Sequence, residues 1–277
     1  LWRGHVDRLA RIVLQIDALC ADPLAAPVTL MRWWGVGILV KTLLGQTAGA
    51  SEDAARALAL IDAEPSVGAQ RASVELLCMI IALAQADPRS ARLHLNAAAQ
   101  ALHPDHAVDR ATLEHQLGML ALLEDDRPTA LRVMRASVIS AKVGGFPMRE
   151  HLALIANALA AARSGEHAEA QQLLAAAFGH PFHAVSRWHH WVAGMVAAYA
   201  AVCRGDDSQA RVQLCDALAV ARECGYRYGP MLYCCGDMMS LLLCFFILLA
   251  AFADYEKGGP SEQTRVAIAS IQQALGV

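Results

Sequence analysis

Apolar residues recur along this chain at the three-and-four spacing of helices that bury one face. Short polar turns interrupt the pattern. Asp87-Pro88, Asp125 to Pro128, Gly165-Glu166 and Gly205-Asp206-Asp207 each separate two apolar periodic segments. No alternating strand pattern with hairpin turn residues occurs. The periodicity predicts helices near 2–21, 27–47, 51–63, 67–86, 88–102, 106–124, 128–143, 147–164, 166–177, 185–203, 206–224, 229–253 and 261–275. The last follows Gly258-Gly259-Pro260, where Ser261 and Glu262 suit a helix start.

The turns are regularly spaced. After each comes an alanine, at Ala91, Ala130, Ala170 and Ala210, so the intervals are 39, 40 and 40 residues. Four residues on stand Leu95, Met134, Leu174 and Leu214, and seven on stand Ala98, Ser137, Ala177 and Ala217. Nine residues earlier stand Ala82, Ala121, Ala161 and Ala201; twelve earlier stand Met79, Gly118, Ala158 and Ala198. Small residues recur where two helices would cross closely, and a large apolar residue recurs on the seam. A sustained period near forty implies stacked supersecondary units.

Gly118, Ala130, Met134 and Ser137 fit the pattern of the tetratricopeptide repeat, as do Ala158, Ala170, Leu174 and Ala177, and Ala198, Ala210, Leu214 and Ala217. The chain resembles that family. It departs from it in having alanine for the helix A aromatics, no regular closing proline and a period longer than 34. The resemblance implies an all-α fold: a right-handed superhelix of antiparallel helix hairpins, about forty residues per repeat. Residues 1–65 would form irregular hairpins, 66–225 in-register repeats, and 226–277 an apolar helix and a capping helix. The forty-residue period and the Ala/Leu-rich texture also resemble the helical sensor region of LuxR-type maltotriose-responsive activators and related bacterial signalling ATPase regulators. Arg149-Glu150-His151-Leu152, the stretch Ala219 to Gly225 and the turn at 165–170 carry that likeness, over about 66–250. In those proteins the region receives an inducer or partner protein, and separate domains carry ATPase and DNA-binding work.

Composition agrees with a helical array. Of 277 residues 56% are hydrophobic, 6% aromatic and 18% charged, so most helix faces must pack against protein. The net charge of −3 and the lack of a Lys/Arg block give no electrostatic reason for nucleic-acid contact. Eight cysteines, at 20, 78, 203, 215, 224, 234, 235 and 244, lie in apolar helical runs with no C-x-x-C pair, as expected of reduced thiols in a cytoplasmic protein. The chain starts at Leu1 with no basic segment before an apolar one, so no secretory signal is expected, and the sequence reads as part of something longer. The apolar stretch Met238 to Ala253 is shorter than the roughly 20 residues that span a bilayer. It is expected to be a core helix or partner face, with no membrane association.

Gly35 to Thr42 approaches the phosphate-binding loop, but Val40 stands where a glycine must precede Lys41, and Ile38-Leu39-Val40 suits a helix. His180, His183, His189 and His190 form the densest histidine cluster, with no adjacent Cys, Asp or Glu to complete a metal site. His103 and His106 read as a loop. Trp33-Trp34 and Trp188/Trp191 suit core packing or stacking on a ligand. Glu124-Asp125-Asp126 reads as a solvated turn before a helix N-terminus. No catalytic constellation, metal or cofactor is expected.

In tetratricopeptide proteins helix A lines the concave face. Transferring that register places His115, Met119 and Leu122 there, then His151, Ile155 and Arg163, then Met195 and Tyr199. The candidate groove is thus His115, Met119, His151, Arg163, Met195 and Tyr199, receiving a protein or small-molecule effector. The expected function is a sensing or scaffolding region of a larger bacterial regulator, not an enzyme. A free-standing adaptor for protein partners is the alternative, and a helical enzyme using the histidine-rich 180–190 segment a third reading. Self-association through apolar surface is open.

Overall fold

The chain divides into two units, Leu1–Cys234 and Cys235–Val277. The structure, a computed structural model, describes residues 6–21, 24–102 and 107–224, all within the first unit. The expectations for 226–277, including Met238 to Ala253 and the helix at Ser261, and those for His103 and His106, lie outside the described residues.

The described residues are all-helical. The helices are α1 (Val6–Cys20), α2 (Pro27–Leu43), α3 (Thr47–Ala63), α4 (Arg71–Ala84), α5 (Pro88–Ala101), α6 (Ala107–Leu123), α7 (Arg127–Gly144), α8 (Pro147–Arg163), α9 (His167–Gly179), α10 (Pro181–Val185), α11 (Arg187–Cys203) and α12 (Asp207–Cys224). A 3₁₀ segment, Pro65–Gln70, precedes α4. The long helices fall on segments predicted by periodicity. Two details differ. Pro65 starts a 3₁₀ turn where a continuous helix from 67 was expected, because proline lacks the N–H that would extend α3. A separate short helix, α10, forms at Pro181, and Ser186 then starts α11 anew by accepting a hydrogen bond from the His189 N–H at 3.3 Å.

Neighbouring helices pair as α2–α3, α4–α5, α6–α7, α8–α9 and α11–α12. The first members of these pairs also touch in order, α2 with α4, α4 with α6, α6 with α8, and α8 with α11. The tight turn inside each pair has one geometry. Gly45, Ala86, Asp125, Gly165 and Gly205 adopt left-handed φ values of 75°, 53°, 58°, 82° and 77°. The next residue's N–H then bonds the carbonyl five residues back: Gln46 to Lys41 at 2.8 Å, Asp87 to Ala82 at 2.9 Å, Asp126 to Ala121 at 2.8 Å, Glu166 to Ala161 at 2.9 Å and Asp206 to Ala201 at 3.0 Å. This is the Schellman ending, which satisfies carbonyls orphaned at a helix C-terminus. Asp87, Asp126 and Asp206 then cap the following helix through the N–H groups of Ser90, Thr129 and Gln209.

The alanines after the turns are buried. Ala91, Ala130 and Ala170 are fully buried, as are Ala98 and Ala177. Such short side chains let helix axes approach. α8 and α11 are buried on nearly every face, with Ala153 to Ala162 all buried in α8. Among the described residues one stretch, Pro65–Ala84, is long and apolar enough to cross a membrane by length and composition, and just over half of its most apolar window is buried inside the fold.

Candidate functional site

The first helix of each pair contributes to one pocket. Its walls are Leu39, Thr42 and Leu43 of α2, Leu77, Ile80 and Leu83 of α4, His115, Gln116 and Met119 of α6, Met148, Arg149 and Leu152 of α8, and Trp188 and His189 of α11. Its cavity volume is about 170 Å³, smaller than the roughly 300–1,000 Å³ of drug-sized sites, so it suits a small or slender molecule. The aliphatic walls follow from the apolar stripes of five helices. The lining descends as the chain proceeds: it uses the C-terminal end of α2, the middle and end of α4, the middle of α6, and the first turns of α8 and α11.

The polar groups of this pocket are basic or neutral. Among the described residues no Asp or Glu lines it. Thr42 Oγ1 donates to the Ile38 carbonyl at 2.8 Å and is thereby occupied. Arg149 has its Nε shut off from solvent with no hydrogen-bond partner, and its side chain makes no ion pair among the described residues. Burial alone acts on its guanidinium and draws its pKa down. Nδ1 of His115 is likewise buried without a partner among the described residues. Burial, then the Arg149 charge, depresses the His115 pKa to about 3. Burial, then the neighbouring His151, His183, Arg149 and His115, depresses that of His189 to about 3. Both rings are therefore neutral at pH 7. Ser186 Oγ lies 2.7 Å from His189 Nδ1 and fixes that ring.

The candidate groove residues separate in the structure. His115 and Met119 line the pocket together. His151 is fully buried behind it, where its Nε2 meets the Ala177 carbonyl at 3.0 Å. Met195 and Tyr199 are buried in α11. Arg163 donates to the Leu122 carbonyl at 3.0 Å and to Asp125 Oδ1 at 3.1 Å, tying the end of α8 to the α6–α7 turn. Arg149 and Gln116 were not singled out from sequence as lining residues, because the lining shifts along successive helices. Copying a position forward by forty residues steps off the pocket.

The other motifs resolve into packing. Lys41 of the loop-like Gly35 to Thr42 segment lies in α2, and its Nζ contacts Asp53 Oδ2 at 2.6 Å and Asp17 Oδ1 at 2.7 Å. A Cβ on Gly37 would meet Ile16 at 3.3 Å, so that glycine allows close packing. In the histidine cluster the His151 ring centroid lies 5.3 Å from those of His180 and His189 and 5.5 Å from His183; His183 and His190 are 4.6 Å apart. By residue type, Glu75, Cys78 and His94 could hold a metal ion, their ligand atoms lying within 4.8 Å of one another. As they stand, Glu75 Oε2 meets His94 Nδ1 at 2.7 Å, and burial followed by the Glu75 charge pushes the Cys78 thiol up to about 12. That set is a hydrogen-bonded carboxylate–imidazole pair beside a protonated thiol.

Comparisons of this chain with protein-family models, with curated proteins and with solved structures give no match.

Proposed function

We propose that this chain is a helical-repeat sensing region, a superhelical stack of hairpins about forty residues long that receives an effector in the pocket formed by its first-of-pair helices. The observation that carries the reading is the pocket itself: one helix from each of five successive pairs reaches it. The recurrent Schellman turns near every forty residues support the repeat, since the same backbone ending recurs with the same register of buried alanines. A site assembled from many hairpins senses the relative position of all of them, so occupancy is coupled to the curvature of the stack.

The pocket binds rather than transforms. Among the described residues no acidic side chain lines it, its threonine hydroxyl is engaged with backbone, and His115 and His189 are held neutral by burial. General acid–base work at neutral pH needs a group poised near 7. In the setting suggested by the resemblance, the bound state would be read by domains of a larger cytoplasmic bacterial regulator.

A neutral apolar fluorophore, N-phenyl-1-naphthylamine, tests the pocket. Saturable fluorescence enhancement with one site per chain is expected, with loss in Leu152→Trp, whose indole fills the cavity. Absence of saturable binding, or equal binding by a folded Leu152→Trp protein, would refute the reading.

A further inference from the structure

We infer that the effector is an apolar organic acid, its carboxylate held by the Arg149 guanidinium and its aliphatic body lying against Leu77, Ile80, Leu83 and Met119. This rests on the reading of the pocket as a ligand site and names the chemistry of that ligand.

The argument starts from the oddity of Arg149. Arg149 is half-buried, with its Nε closed off from water; a cation partly removed from water is ordinarily given a carboxylate partner. Other cations with little exposure here obey that rule. Lys41 has both Asp17 and Asp53 within hydrogen-bond distance, and Arg163 has Asp125 and a backbone carbonyl. Arg149 has neither among the described residues, and its Nε is closed off. Its neighbour in sequence, Glu150, turns instead toward His180, with Oε2 3.9 Å from Nε2.

The surroundings select for negative charge. The pocket takes in the first turns of α8 and α11, where helix dipoles present their positive ends. The N-terminus of α8 has no side-chain cap, and His115 adds a second buried nitrogen without a partner. A planar guanidinium fork matches a carboxylate with two parallel N–H donors. A cationic ligand would meet like charge, and a wholly apolar one would cover Arg149 and leave it unpaired. The rest of the lining carries the opposite demand: Leu39, Leu43, Leu77, Ile80, Leu83 and Leu152 have nothing to offer a polar ligand. An acid with an aliphatic body meets both demands, and a small hydrophilic acid meets only one.

Displacement of N-phenyl-1-naphthylamine by three chain-matched compounds decides the matter: decanoate, decanol and decylamine at neutral pH. Decanoate is expected to displace the probe at least about 10-fold more strongly than decanol, with decylamine weakest. Arg149→Gln should weaken decanoate by about 10- to 100-fold and leave decanol within about threefold. Arg149→Lys, which keeps charge but loses the fork, should fall between them. Decanol matching decanoate, or undiminished decanoate binding by Arg149→Gln, would overturn the acid assignment while leaving the pocket reading intact. No displacement by any compound from a protein that binds the probe would overturn it too. Failure of the probe itself to bind would remove the pocket reading and this inference together. Circular dichroism of each variant confirms that the helices are retained.

Discussion

Met134 lies across Gly118 so closely that a Cβ on the glycine would sit 2.6 Å from its Cε and 2.8 Å from its Cγ and Sδ. Met134 is fully buried, and two of the three close atoms, Cγ and Sδ, lie short of its flexible end, so relief requires the whole side chain to repack. Forty and eighty residues on, the same two positions hold Ala158 with Leu174 and Ala198 with Leu214. The small member grows by a methyl group where the large one is shorter. Gly118→Ala alone is therefore expected to destabilise the fold by about 1–2 kcal/mol, overpacking outweighing the gain in helix propensity. Adding Met134→Leu should restore stability to within about 0.5 kcal/mol of the parent, or exceed it. Urea unfolding of the two single variants and the double variant reads this directly. Simple additivity would show that the two sites do not compensate.

The left-handed turn positions give a second test. Gly45, Gly165 and Gly205 carry positive φ without strain, whereas Ala86 adopts φ 53° with a side chain. A Cβ in that region is disfavoured by roughly 1–2 kcal/mol, partly offset by the greater unfolded-state freedom of glycine. Ala86→Gly should thus stabilise the fold by about 0.5–1 kcal/mol, and Gly165→Ala should destabilise it by about the same. The comparison is a shift in urea midpoint at constant slope. Equal and opposite signs from these two would mean the turns share one geometry in solution; a destabilised Ala86→Gly would not fit it.

These two relationships show what the sequence disclosed. The helices and their turns were legible because each turn is written locally, as an aspartate or glycine after an alanine-rich segment. The pairing of helices was legible because small residues recur in phase. The pocket was only half legible. His115 and Met119 could be placed in it from the helix A register, but Arg149 is at the start of α8, and the lining moves from helix ends to helix starts along the chain. His151 was legible as a helix A residue, yet the short helix α10 brings His180 and His183 against it. A break at Ser186 of that kind depends on tertiary packing. Lys41 shows the reverse case, in which a nearly phosphate-binding pattern becomes a buried cation because Asp17 and Asp53 stand on α1 and α3 beside it.

Three buried histidines set the acid response. Burial, followed by His183 and His180, depresses His151 to about 4, and His115 and His189 fall to about 3. In the unfolded chain each titrates near 6.5. Between those values the unfolded chain binds protons that the folded chain excludes. Stability is therefore fully present above about pH 6.5 and declines as pH falls toward 4 to 3, with up to about 1.4 kcal/mol per pH unit for each ring. Urea unfolding between pH 6.5 and 5 should show this slope before most carboxylates titrate. His115→Gln is expected to reduce it by about one proton's worth, whatever its effect on absolute stability. A flat profile across that interval would mean the rings are charged or solvated in the folded protein.

Arg149 should also stand out in stability. A half-buried guanidinium whose Nε is closed off without a partner opposes folding, and replacing such a charge by a packed apolar side chain relieves that opposition. Arg149→Met is expected to stabilise the unliganded protein by about 0.5–2 kcal/mol, contrary to the usual outcome for a substitution in a packed wall. Arg149→Lys keeps a charge in the same place and should not share the gain. With decanoate the order reverses: the parent's Tm should rise with concentration by mass action, while that of Arg149→Met should barely respond. A residue that opposes folding and favours a ligand is what a stability–function trade-off produces at a binding site. Thermal melts of the three proteins with and without decanoate measure both halves. A strongly destabilised Arg149→Met would show that the guanidinium is satisfied within the fold, and the pocket would then have no unmet charge to attract an acid.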